Sequence, residues 1–265
     1  MKIGMAQIRI PWKKYEENKE ICRSYFEKAQ KNQIDLLVFP EMTLTGFDVK
    51  SPELVQREQD TIDFFENMTK KYEIAAVYGF AGKGKEKNRN HLRISSQGKC
   101  IMEYEKIHPF SYGAEGKYFE GGEAVNSCRF QGEDFSGLIC YDLRFPEVFQ
   151  IASRKSNCIF VIANWPKARI FQWNALLRAR AIENLCYIVG VNCTGESGPL
   201  FYNGMSGAYG PDGRIIAGEQ EEEDLIVAEL DFDWLRQYQS QFPFKKDRRT
   251  KLYNYFYENE DQRES

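Results

Sequence analysis

Residues 136–165 read SGLICYDLRFPEVFQIASRKSNCIFVIANW. The apolar run Gly137 to Cys140 has the character of a buried strand. Phe145-Pro146-Glu147 then opens a short helix, with proline where its missing N–H costs nothing. Cys158 to Ala163 is a second continuous apolar run, the pattern of a strand covered on both faces. Strand, helix, strand in thirty residues predicts an α/β protein. Working outward, the same style recurs. KIGMAQIRI reads as a strand ending at Pro11, and residues 15–31 put Ile21, Cys22, Tyr25, Phe26 and Ala29 on one helical face. DLLVFP is a buried strand stopped by Pro40, and Ser51-Pro52 opens a helix to about Lys71. IAAVYGFA is another strand, and residues 90–104 form a hairpin turning at Gln97-Gly98. Beyond Trp165 come a helix over 170–184, the strand LCYIVGVN, a hairpin at Pro211-Asp212-Gly213, the strand DLIVAELD and a helix over 231–239. The hairpins make the sheets mixed, which disfavours a parallel barrel or a Rossmann sheet.

No linker divides the chain, so residues 1–247 read as one domain and 248–265 as a C-terminal extension. That extension runs from the basic KKDRRTK into aromatic YNYFY and acidic ENEDQRES. It reads either as a solvated tail, with KKDRRTK a solvated face, or as a segment whose Tyr253, Tyr255, Phe256 and Tyr257 pack on a partner subunit. The 265 residues carry a formal charge of −3 and 42% hydrophobic residues, the composition of a globular protein. A net negative chain gives no electrostatic reason to bind nucleic acid. No apolar run approaches the roughly 20 residues of a membrane span, and Arg9 and Lys13 break up any leader-like stretch. The seven scattered cysteines show no disulfide framework, which fits the cytoplasm.

Two histidines and no zinc-type spacing leave no metal site, and Cys186 and Cys193 read as small core residues. Gly79 to Lys85 fits G-x-x-x-x-G-K, but Glu86 stands where a phosphate loop needs Ser or Thr, so the segment reads as a basic turn. Cys140 ends a strand at the start of a helix, where the helix dipole lowers a thiol pKa and favours thiolate. Alone, it reads more readily as a core cysteine that closes a strand. Glu41 also ends a buried strand, and Lys106 follows the hairpin. A thiol nucleophile needs a base, and an acyl-transfer intermediate needs a cation or N–H donor for its oxyanion. Glu41, Lys106 and the Tyr141 backbone N–H have the right chemistry. Each side chain alone reads also as a salt-bridged surface group, and spacing does not show that they converge.

FPEMTLTGF, YEKIHPF and GLICYDLRFPE, in that order, resemble the three signature blocks of the nitrilase superfamily of carbon–nitrogen hydrolases. The resemblance runs from Met1 to about Asp247. It implies a four-layer α-β-β-α sandwich, a dimer, no cofactor, and a triad in which Glu41 matches the general base, Lys106 the oxyanion lysine and Cys140 the nucleophile. Glu115 holds the place of a second glutamate that positions the lysine or the leaving amine; its alternative is a loop carboxylate.

NWPKARIFQWNALLRARAIEN, CYDLRFPE and the QFPF-KKD segment are similar to bacterial omega-amidases, which deamidate 2-oxoglutaramate, 2-oxosuccinamate and succinamate-like compounds. Such a substrate carries a carboxylate, so the site needs an inward cation. Arg144 is the first choice and Arg169 the second. Trp165 would wall the pocket, and Tyr112, Tyr118 and Phe119 would cover it from the loop after Lys106, although all four aromatics also read as packing. Pro109 departs from the leucine usual in that branch, which bears on substrate choice. The remaining alternatives are an N-carbamoyl amine hydrolase, a deaminated-glutathione amidase, a nitrilase and a non-catalytic scaffold.

Overall fold

The computed structural model describes residues 1–51, 53–197 and 200–259, and in it two six-stranded mixed sheets lie face to face. The first half of the chain runs β1 (Lys2–Gln7), α1 (Tyr15–Lys31), β2 (Leu36–Val38), α2 (Glu53–Gln56), α3 (Glu58–Tyr72), β3 (Ala75–Lys83), β4 (Asn88–Ser96), β5 (Lys99–Glu105) and α4 (Glu115–Tyr118). The second half runs β6 (Ser127–Phe130), β7 (Glu133–Ile139), α5 (Pro146–Ala152), β8 (Cys158–Ala163), α6 (Ile170–Asn184), β9 (Tyr187–Asn192), β10 (Thr194–Ser197), β11 (Leu200–Asn203), β12 (Gly207–Tyr209), β13 (Ile215–Gly218) and β14 (Asp224–Glu229). Helices α7 (Phe232–Gln241) and α8 (Thr250–Asn259) close it.

One sheet has the order β14-β1-β2-β3-β4-β5 and the other β13-β12-β9-β8-β7-β6. Both are built alike. Three central parallel strands (β1-β2-β3 and β7-β8-β9) are flanked by antiparallel neighbours. The central strands are buried along most of their length because both faces are covered, by the opposite sheet and by helices, and β8 is apolar throughout. Helices α1 and α3 cover the first sheet with Tyr25, Phe26 and Phe65, which meet Phe39 and Tyr78. Each such ring stabilises the fold by roughly 1.5–3 kcal/mol. Trp173, Leu177 and Ala181 of α6 cover the second sheet. The result is the expected α-β-β-α sandwich.

The Gln97-Gly98 turn has positive φ at both residues, 50° and 77°, the geometry that matches the twist of a two-residue hairpin. The second predicted helix is broken at Arg57 into α2 and α3; Pro52, expected in its first turn, lies outside the described residues. Gly79 is a packing residue inside β3. A Cβ there would stand 2.8 Å from the Met42 nitrogen and 3.0 Å from Glu41 Cα. Only glycine lets the turn after β2 lie this close to β3.

The tail departs from expectation. Residues 250–259 form a helix, and KKDRRTK is not simply solvated: Lys245 donates to the Ser153 carbonyl (2.6 Å) and Arg248 to the Glu183 carbonyl (2.5 Å). These carbonyls lie at or near the C-terminal ends of α5 and α6, where cations are favoured. Residues 260–265 of the expected extension lie outside the described residues.

Candidate active site

Glu41 follows β2, Lys106 follows β5, Cys140 follows β7 and Asn164 follows β8, so strand ends from both sheets converge. Lys106 Nζ donates to Glu41 Oε1 at 3.1 Å and to both Glu115 oxygens at 3.1 and 2.9 Å. All three side chains are almost wholly buried. Burial alone disfavours the Lys106 charge, but Glu115 and Glu41 outweigh it and hold the ammonium above its ordinary range. The two carboxylates are further satisfied by neutral donors. Asn90 Nδ2 donates to Glu41 Oε1 (2.7 Å) and Glu115 Oε1 (3.0 Å), and the Phe110 N–H reaches Glu115 Oε2 at 2.7 Å. On the other side the Asn164 N–H donates to Glu41 Oε2 at 2.9 Å. Cys193 Sγ, 3.1 Å from Asn164 Oδ1, orients that amide, which in turn donates to the Glu41 carbonyl at 2.7 Å.

Cys140 has φ of +46°, the left-handed region that a non-glycine residue enters at a cost. The strand breaks there into a single 3-10 turn over Cys140–Arg144, which lifts the half-buried thiol onto the pocket. Asp142 fastens this corner. It accepts from the Ile139 N–H (3.1 Å), the Tyr104 hydroxyl (2.8 Å) and the His108 N–H (3.0 Å), and it pairs with His108 Nδ1 (2.8 Å). One buried carboxylate therefore joins the turn that carries Cys140 to the loop that follows Lys106. The thiol departs from the expected direction: burial pushes it up, Glu41 adds to the rise, and Lys106 opposes without reversing it. A 3-10 turn of five residues supplies too little dipole to offset that desolvation.

A pocket enclosing about 440 Å³ of atom-free space, its mouth included, opens over Cys140. Lys106, Tyr141, Arg144, Trp165 and Arg169 line it, with Phe47, Phe110 and Tyr202. Arg144 lies 4.8 Å over the Trp165 ring and donates to Gln172 Oε1 at 2.7 Å. Trp165 Nε1 donates to the Arg169 carbonyl at 2.9 Å, so the wall and its second arginine are tied together. Neither arginine has a carboxylate partner among the described residues. A wider, open groove enclosing about 1420 Å³ of atom-free space by the same measure, between Met1, Asp35, Glu133 and Asp233, has no cysteine, serine or threonine in its lining.

The loop aromatics are placed differently from expectation. Phe119 is 2% exposed and packs with Met42, Val49, Leu54 and Ala81, behind the site. Tyr112 is 89% exposed and does not line the pocket, nor does Tyr118. The backbone sets this: Phe119 closes α4 with its N–H bonded to the Glu115 carbonyl (2.8 Å), which turns its ring inward. Phe110, directly after Pro109, provides the aromatic wall on that side. Asn90, Asn164, Asp142, Phe47, Phe110 and Tyr202 were not singled out by sequence reasoning. Asp142 alone carried a usable signal, a carboxylate two residues past the nucleophile in a buried corner.

A family model described as carbon-nitrogen hydrolase matches residues 2–240, and the chain belongs to that family. It is 33% identical to the 2-oxoglutaramate amidase of Bacillus subtilis (strain 168), over 95% of this chain and 98% of that one. It is 31% identical to the omega-amidase YafV of Escherichia coli (strain K12), over 80% and 84%. Among solved structures, a CN-hydrolase superfamily protein of Xanthomonas campestris with an arsenic adduct in its active site superposes with a TM-score of 0.86. That protein is 26% identical, and the match covers 94% of this chain and 97% of that one.

Proposed function

We propose that the protein is an omega-amidase that hydrolyses the terminal amide of a short 2-oxo dicarboxylic acid monoamide, such as 2-oxoglutaramate or 2-oxosuccinamate, to the 2-oxo acid and ammonia. The observation that carries this reading is the pair of guanidiniums, Arg144 and Arg169, in the pocket beside Cys140 with no carboxylate among the described residues to neutralise them. They suit a substrate that brings its own carboxylate. The names of the relatives at 33% and 31% identity support the same substrate class. A cationic carbamoyl amine would be repelled, and a pocket of this size favours a short chain over a glutathione-like amide.

In this reading Glu41 takes the Cys140 proton as Sγ bonds to the amide carbon. Lys106 and the Tyr141 N–H receive the oxyanion. The C–N bond then breaks, Glu41 returns the proton to the leaving nitrogen, and ammonia departs from a thioester. Glu41 next takes a proton from water, which attacks the thioester carbon; the C–S bond breaks and the thiol is restored. Glu115 keeps Lys106 charged and oriented throughout. The steps draw on Glu41, Lys106, Cys140, Glu115 and the Tyr141 backbone N–H. No helix among the described residues is long and apolar enough to cross a membrane. Seven free cysteines suit a reducing compartment, and we place the enzyme in the cytoplasm. The exposed Tyr255, Phe256 and Tyr257 of α8 support a homodimer, which sedimentation of the chain with and without residues 248–265 tests.

The test is ammonia release from 2-oxoglutaramate and succinamate, wild type beside Cys140→Ala. Release that vanishes in the variant is expected. No release from wild type, with Cys140 still selectively alkylated by iodoacetamide, overturns the substrate and directs the search to carbamoyl amines. No selective alkylation points instead to a non-catalytic scaffold.

A further inference from the structure

Tyr202 is 2% exposed, yet its hydroxyl makes no hydrogen bond among the described residues. That is unusual for a buried tyrosine, whose O–H nearly always finds a partner. The other buried tyrosines nearby follow the rule: Tyr78 bonds Ser95, Tyr104 bonds Asp142, Tyr187 bonds the Asp231 carbonyl and Tyr209 bonds Glu219. Tyr202 differs because of where β11 puts it. Its strand neighbour Phe201 faces out, 49% exposed, while Tyr202 turns inward. The ring packs in the apolar cluster with Cys193, and the residue forms part of the pocket wall shared with Cys140, Arg144 and Arg169. Tyr202 therefore shares one pocket with Cys140 at its reacting end and with Arg144 and Arg169 at its cationic end. Burial, reinforced by Cys193, Cys140 and Glu41, keeps it protonated and therefore a donor.

We infer that the Tyr202 hydroxyl is a specificity-determining donor for the 2-oxo oxygen of the substrate, between the amide at Cys140 and the carboxylate at Arg144 and Arg169. This rests on the omega-amidase reading. A carboxylate is matched by the guanidiniums; a neutral ketone oxygen is matched by a neutral O–H. A substrate with CH2 at that carbon offers the phenol no acceptor, and a site built to hydrogen-bond discriminates on that ground.

The experiment compares 2-oxoglutaramate with glutaramate, which carries CH2 in place of the ketone, for wild type and Tyr202→Phe. Ammonia release gives kcat/KM for each, and the quantity read is the ratio of the two substrates. The ratio is expected to fall by about tenfold in the variant, mostly through KM for the oxo compound. Product inhibition provides a second ratio, 2-oxoglutarate against glutarate, with the same expected fall. Glutaramate hydrolysis by the variant reports that it is folded. An unchanged ratio, including one where both substrates lose activity equally, overturns the inference. Failure of wild type on both compounds instead removes the omega-amidase reading and this inference with it.

Discussion

At one end of the pocket, Glu41, Glu115 and Lys106 are buried together and their polar atoms are spoken for by one another, Asn90, Asn164 and the Phe110 N–H. At the other end, among the described residues, Arg144 and Arg169 have no carboxylate partner and Tyr202 has no hydrogen bond. The first end is finished without substrate, as electrostatic preorganisation requires. In the omega-amidase reading we propose, an anionic, oxygen-bearing ligand completes the second end. Chemistry and recognition in this fold are thus built by opposite rules within one small pocket.

Removing a member of the finished end should be the most damaging change. Lys106→Met leaves Glu41 and Glu115 facing each other without a cation. Activity is expected to fall at least about a thousandfold, and denaturant melts should show a loss of about 3–5 kcal/mol. Retained stability would mean that the carboxylates do not depend on that lysine. Phe119→Ala probes the packing behind the site. It should destabilise by about 3–5 kcal/mol while KM stays near wild type, and Tyr112→Ala should shift stability by less than about 0.5 kcal/mol. A large KM effect from either would return those rings to the pocket. Arg144→Met attacks the unfinished end. It should raise KM for carboxylate-bearing amides by about 10- to 100-fold with little loss of stability, because the hydrogen bond lost from the free protein is the exposed one to Gln172. A fall in kcat alone would contradict that assignment.

The smallest effect lies outside the pocket. On β4, Asn90 faces the carboxylates while His91 turns the other way, to Glu103. The His91 hydrogen bond, with Arg93 beside it, holds the Glu103 carboxyl down at about 2. A depressed folded pKa contributes stability above the unfolded value, near 4.3, and loses it as pH falls toward 2. Glu103→Gln should therefore flatten the fall in Tm between about pH 4 and 2 and leave kcat unchanged. A melt profile identical to wild type would contradict it.

Much of the architecture was legible because the chain's periodicities are clean. DLLVFP, NCIFVIANW and LCYIVGVN are continuous apolar runs, and the 170–184 helix matched its observed bounds. The strand-end positions of Glu41 and Cys140 were legible for the same reason. The direction of the Cys140 thiol shift was not, because strand-helix order shows a dipole but not how deeply the corner is buried. Nor was the fate of the loop aromatics: Tyr112, Tyr118 and Phe119 look alike in sequence, and only the closure of α4 turns one inward. Asn90 and Asn164 carry no signal of their own, since a neutral amide becomes important only when the fold puts it between two carboxylates or against one.

The central claim is that Cys140 attacks the amide as a neutral thiol deprotonated by Glu41. Acid-quenched intact-mass spectrometry during turnover of 2-oxoglutaramate, with peptide mapping, tests it directly. The account predicts an acyl group on Cys140 alone in wild type and almost none in Glu41→Gln. Ammonia release with Cys140 unmodified, or acylation at an undiminished rate in Glu41→Gln, would contradict it.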